Sequence, residues 1–153
     1  MSHATRPVDI GGHVVEIDIG IAHLIEQLRD AGIATTNSCE ENKQGYAWIH
    51  FATTSDAQKF LSIVANHAGI PETYDPDNLY CRIMESHPWS ESPEPGGWYI
   101  NHVINDAADE YDPEADCWGN KSGIVDVLFS TSVRFPREQI DIITQLLLKE
   151  TNE

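Results

Sequence analysis

Between Asp18 and Phe51 the spacing of apolar residues changes from a helical to an alternating period, and that change restricts what the chain can fold into. Ile21, Leu24, Ile25 and Leu28 recur at i, i+3, i+4 and i+7, which predicts an amphipathic helix whose apolar stripe faces a core. Asp18 stands where an N-cap carboxylate would accept from the first-turn amides, and Gly32 ends the helix. Residues 33–38 are short and β-branched, which predicts a strand, and Lys43-Gln44-Gly45 supplies turn chemistry. Residues 46–52 then alternate, with Ala47, Ile49 and Phe51 on one face and Tyr46, Trp48 and His50 on the other.

The rest of the chain extends this pattern. Ser55-Asp56-Ala57-Gln58 has the form of a capping box, opening a helix with Ala57, Phe60, Leu61, Val64 and Ala68 inward. Residues 78–86 hold a short helix with Leu79, Ile83 and Met84 inward, followed by a loop over 86–97 rich in proline and glycine. Residues 98–106 alternate, an acidic insert follows, and Val125, Val127, Phe129, Thr131, Val133 and Phe135 share one face of the clearest strand. Pro136 opens a last helix with Ile140, Ile143 and Leu147 inward. Two helix-strand-strand units plus a closing helix imply an α+β fold, an antiparallel sheet of four to five strands with helices on one face, for which a ferredoxin-like arrangement is a reasonable relative. At 153 residues the chain suits a single domain over 14–153, with residues 1–13 read as a flexible N-terminal arm.

Charge is the one compositional outlier. The chain carries 25 acidic and nine basic residues, a net −16, and residues 72–116 hold twelve of the carboxylates against a single cation, Arg82. Such a surface repels phosphate backbones and attracts cations, so direct nucleic-acid binding is not expected and a basic protein partner is. No apolar run is long enough to cross a bilayer, and three scattered cysteines are not a disulfide framework, so a soluble, cytoplasmic protein with no membrane partner is expected.

The candidate binding residues follow from that charge. Trp89, Tyr99, Tyr111 and Trp118 lie in or beside the acidic stretch with Asp109, Glu110, Asp112, Glu114 and Asp116, and exposed aromatics of this kind anchor protein interfaces. The exposed strand aromatics also allow a homodimer. An alternative ligand or catalytic site lies at the turn 38–42, where Ser38, Cys39 and Glu40 follow a strand and His50 stands across the hairpin. A nucleophilic Cys39 needs a cation or helix N-terminus to lower its pKa, whereas Glu40 and Glu41 raise it, so the small buried-residue reading is preferred. Cys39, His50, His67, Cys81, His87, His102 and Cys117 contain no close ligand pair, and Asp112-Pro113-Glu114-Ala115-Asp116 departs from a calcium loop at Cys117 and Gly123. No metal or other cofactor is therefore expected.

Gly32-Ile33-Ala34-Thr35-Thr36-Asn37-Ser38-Cys39, Trp48-Ile49-His50-Phe51 and Val133-Arg134-Phe135-Pro136 resemble a loosely defined group of small uncharacterised bacterial and bacteriophage proteins. The likeness implies no catalytic residue. With the charge distribution, it suggests a protein-binding module using an acidic and aromatic surface, in its sharper form a phage-encoded mimic of nucleic acid or inhibitor of a host protein. A small-ligand binder or enzyme at the turn 38–42 is the alternative.

Overall fold

The structure, a computed structural model, describes residues 3–105, 110–112, 114, 117–119 and 128–152. Its centre is a four-stranded sheet in the order β3-β4-β8-β5, formed by β3 Thr35–Lys43, β4 Tyr46–Phe51, β8 Leu128–Pro136 and β5 Tyr99–Asn105. Every neighbouring pair is antiparallel, so β4 and β5, each antiparallel to the β8 strand between them, run parallel and are joined through a helical crossover, the split β-α-β connection expected of a ferredoxin-like relative. Helices α1 Ile19–Asp30, α2 Thr54–Ala68 and α4 Ile140–Asn152 cover one face, with α4 packed against both α1 and α2. The fold is therefore α+β with helices on one side.

The core forms where the two periodicities meet. Leu24, Leu28, Phe60, Val64, Ile143 and Leu147 are fully buried against Ala47, Ile49, Phe51, Val133 and Phe135 from the central strands. Each such large aliphatic or aromatic side chain contributes about 1.5–3 kcal/mol by leaving water. Trp98 lies 5.2 Å from the ring of Phe135 and 6.2 Å from that of Phe60, and its Nε1 donates to Gln139 Oε1 at 2.7 Å. Of the long apolar face expected over 125–135, Thr131, Val133 and Phe135 are buried as expected; Val125 and Val127 lie outside the described residues, and so does the side chain of Phe129.

Several local expectations are corrected. Residues 5–10, placed in a loose arm, form β1 Thr5–Ile10, which pairs with β2 His13–Asp18. Gly11 and Gly12, at φ 59° and 89°, make the two-residue turn that hairpins favour, and Val8 and Ile17 join the core. The N-cap of α2 is Thr53, whose hydroxyl accepts from the amide of Asp56 at 3.1 Å, so the capping box begins two residues earlier than Ser55. Met84, at the end of the short α3 Leu79–Met84, points to solvent. The acidic insert contains a further pair, β6 Glu110–Asp112 and β7 Cys117–Gly119, with Tyr111 opposite Trp118.

The β1–β2 hairpin is fastened to α1 by Arg6, whose Nη2 is 2.5 Å from Glu26 Oε1. That hydrogen bond holds the Glu26 carboxyl below the usual range. A depressed folded-state pKa stabilises above the unfolded value, and the contribution disappears as pH falls through the folded value. Glu26→Gln is accordingly expected to lower stability at neutral pH and to flatten its fall in acid, with little difference from wild type once the Glu26 carboxyl is protonated in the folded and unfolded chain alike. Urea midpoints measured from pH 7 down to pH 2 check this.

Candidate functional site

The face of the sheet away from the helices is polar and concave. Alternation places Trp48 and His50 of β4, Ser130, Ser132 and Arg134 of β8, and Asn101 of β5 there, around a shallow depression of about 470 Å³. Register explains the grouping: Trp48 is opposite Arg134, His50 opposite Ser132, and Asn101 opposite Ser132 from the other side. His50 is held between two hydroxyls, with Nε2 2.5 Å from Ser130 Oγ and Nδ1 against Thr36 Oγ1. Serine and histidine are thus in contact, but the orienting group is a threonine rather than the carboxylate that stabilises an imidazolium in hydrolytic triads.

Beside the depression the loop 86–97 is docked on the sheet, with Trp89 against Asn101 and Arg134. The amide of Trp89 donates to Asn101 Oδ1 at 3.0 Å, and Ile100 N donates to the carbonyl of His87 at 3.1 Å. The Trp89 ring meets Tyr46 and Tyr99 edge-on at 5.2 and 5.0 Å, while His87 stacks on Tyr99 at 4.9 Å. Tyr99 is therefore fully buried, although it lies on the strand face opposite the core, and it offers no surface to a partner. Trp89 is half-buried, with the Arg134 guanidinium 5.2 Å above its ring.

Arg134 has a distinct electrostatic setting. Arg6, Arg29, Arg82 and Arg137 each pair with a carboxylate, and Arg134, the fifth arginine, has no carboxylate partner among the described residues. Its Nε donates to Asn42 Oδ1 at 3.0 Å, and burial pushes its guanidinium down from the ordinary value. No acidic side chain among the described residues lines the depression.

The four residues of the turn site do not converge. His50 belongs to the open face, whereas Glu40 is buried, with Oε2 2.8 Å from Arg137 Nη2 and Oε1 3.7 Å from His3 Nδ1. Ser38 Oγ is buried without a hydrogen-bond partner, opposite Ile49. Burial pushes the Cys39 thiol up, and Asp18 and Glu40 push it further, which disfavours a nucleophilic thiolate. The polar run 40–43 continues β3 rather than forming a turn, because β8 and the following helical turn bring Arg134 to Asn42 and Arg137 to Glu40 and Glu41.

The acidic residues divide. Glu72, Asp75, Asp77, Glu85 and Glu91 are exposed with no cationic partner among the described residues, while Arg82 is buried and pairs with Glu94 at 3.3 Å. Glu114 is exposed at a turn. Asp109 and Asp116 lie outside the described residues, as do the side chains of Glu110, Tyr111, Asp112 and Trp118. Among the described residues the histidines and cysteines considered for zinc do not gather with one another: His67 pairs with Glu150 at 2.6 Å, His102 contacts Thr131 at 3.2 Å, and Cys81 is buried, while the side chain of Cys117 lies outside the described residues.

Fold and site together define a two-layer α+β domain whose second sheet face is polar and partly covered by the loop 86–97, and comparison with known proteins adds one relative. The chain is similar to an uncharacterised protein of Acanthamoeba polyphaga mimivirus, 42% identical over 67 residues, which is 42% of this chain and 34% of that protein. The chain thus spans about a third of the length of the curated relative it matches. No protein-family model and no solved structure matches. The expected likeness to bacterial and bacteriophage proteins is corrected by this match, since the relative comes from a virus of an amoeba. Among the described residues no helix is long and apolar enough to cross a membrane.

Proposed function

We propose that the domain works by binding, and that the open sheet face recognises the anionic group of a small molecule. The observation that carries this is Arg134, an arginine with no carboxylate partner among the described residues, in a chain with 25 carboxylates. Its Nε is anchored by Asn42 and its guanidinium lies over Trp89, so the remaining N–H groups are oriented before a ligand arrives. Ser132 and Asn101 supply further hydrogen-bonding groups on the floor of the depression. The surrounding negative charge would exclude polyanions and admit a small one.

Titration with inorganic phosphate, followed through the amide resonances of residues 48–50, 101 and 130–134, tests the assignment. Wild type is expected to shift at these positions, and Arg134→Gln to bind about ten- to a hundred-fold more weakly, the worth of a charged hydrogen bond. Shifts elsewhere, or an unchanged affinity in the variant, would remove the reading.

A second reading, a basic protein partner on the acidic surface, is favoured by the uncompensated Glu72, Asp75, Asp77, Glu85 and Glu91. Capture of one partner from a lysate that survives neutralising all five would exclude it. The free thiols of Cys39 and Cys81 suit a reducing compartment such as the cytoplasm.

A further inference from the structure

Midway along β3, at Cys39, three side chains from separate parts of the chain meet. A nitrogen of His3, a carboxylate oxygen of Asp18 and the sulfur of Cys39 all lie within 4.8 Å of one another, each side chain half-buried. Bonds of about 2.0–2.3 Å from a tetrahedral zinc would set these atoms roughly 3.3–3.8 Å apart. A contraction of about 1 Å would therefore complete the coordination.

We propose that His3, Asp18 and Cys39 bind a transition-metal ion of the zinc class. The ligand chemistry selects it: sulfur and imidazole disfavour magnesium and calcium, whereas zinc accepts a mixed set of sulfur, nitrogen and oxygen. Three protein ligands leave one position for water or for Glu40, whose Oε1 is 3.7 Å from His3 Nδ1.

The backbone supports this use. Asp18 occupies the N-cap position of α1, yet its side chain makes no capping hydrogen bond. Its carboxylate instead accepts from the amide of Glu40 at 2.9 Å, which turns it towards β3 and Cys39. The first amide of the helix, Ile19 N, is satisfied by the carbonyl of Ala4 at 2.9 Å, and Thr5 pairs with Asp18 in the β1–β2 register. Those two contacts bring His3 to the start of α1. The cluster also collects negative charge: Asp18, Glu40 and a deprotonated Cys39 would repel one another, and the nearby cation, Arg137, is engaged by Glu40 and Glu41. A divalent ion would relieve that repulsion and hold the thiolate.

The test uses the reduced full chain and cobalt(II), which reports a bound thiolate by a charge-transfer band and tetrahedral geometry by its visible bands, with zinc competing. Wild type is expected to bind one cobalt per chain and to release it to zinc. Cys39→Ser should abolish the charge-transfer band, whereas Cys81→Ser should keep it. His3→Ala and Asp18→Asn should each weaken binding at least ten-fold, and His3, lying before the first strand, can be replaced without disturbing the core. Absence of the band at stoichiometric cobalt, its persistence in Cys39→Ser, or an unchanged affinity in His3→Ala would overturn the site. None of these readouts depends on anion binding at Arg134, so the two assignments fail separately.

Discussion

Replacement of Trp98 by alanine is expected to remove about 3–5 kcal/mol of stability, a large share of the roughly 5–15 kcal/mol that holds a domain of this size. Trp98 is 1% exposed immediately before β5, and its ring bridges Phe60 of α2 and Phe135 of β8. Truncation would leave a void that neither neighbour can fill without moving a helix off the sheet. Trp98→Phe keeps an aromatic in the stack and surrenders chiefly the hydrogen bond to Gln139, itself half-exposed and able to turn to water. Its cost is expected near 1 kcal/mol for the hydrogen bond, plus a smaller packing loss. Urea denaturation followed by circular dichroism gives both values. A cost below about 1 kcal/mol for the alanine variant would mean that the aromatic layer does not join α2 to β8 as described.

That layer shows what the residue pattern discloses and what it hides. Helices α1, α2 and α4 and the alternation of β4 were legible because each meets one core on one side, so a single period survives over many residues. Trp98, immediately before β5, and Tyr99, its first residue, are adjacent in extended chain and both buried, which alternation cannot produce unless something covers the second face. The cover is the loop 86–97, whose prolines and glycines signal irregular backbone but carry no record of where it docks. The same limit applies at the candidate sites. Strand alternation already put Arg134 opposite Val133 and Phe135, yet its lack of a carboxylate partner among the described residues depends on where the other four arginines find theirs. Asp18 read as a helix cap on local grounds, and only the approach of β3 diverts its carboxylate to the Glu40 amide and towards Cys39. The Gly11-Gly12 pair was a hairpin signal within the sequence, obscured by reading the segment for its lack of periodicity.

Tyr99→Ala is expected to cost a further 3–5 kcal/mol by the same large-to-small logic and, unlike Trp98→Ala, to alter the open face. Tyr99 is the floor on which the loop rests: Trp89 and Tyr46 meet its ring edge-on, His87 stacks on it, and its hydroxyl accepts from the amide of Glu94 at 2.5 Å. Without the ring the loop loses its main apolar contact, and Trp89 loses the support that holds it beneath Arg134. Phosphate affinity should therefore fall together with stability, because the guanidinium would pay in lost orientation what it now has in advance. Tyr99→Phe separates the two effects. It keeps the ring and removes the acceptor of the Glu94 amide, so a cost of about 1–3 kcal/mol is expected with Trp89 still in place. The indole N–H resonance of Trp89 distinguishes the outcomes, moving towards its solvent-exposed position in Tyr99→Ala and staying near the wild-type position in Tyr99→Phe. An unmoved resonance in the alanine variant would show that Trp89 is held by Asn101 and Tyr46 alone, and that the burial of Tyr99 has no part in shaping the anion-binding face.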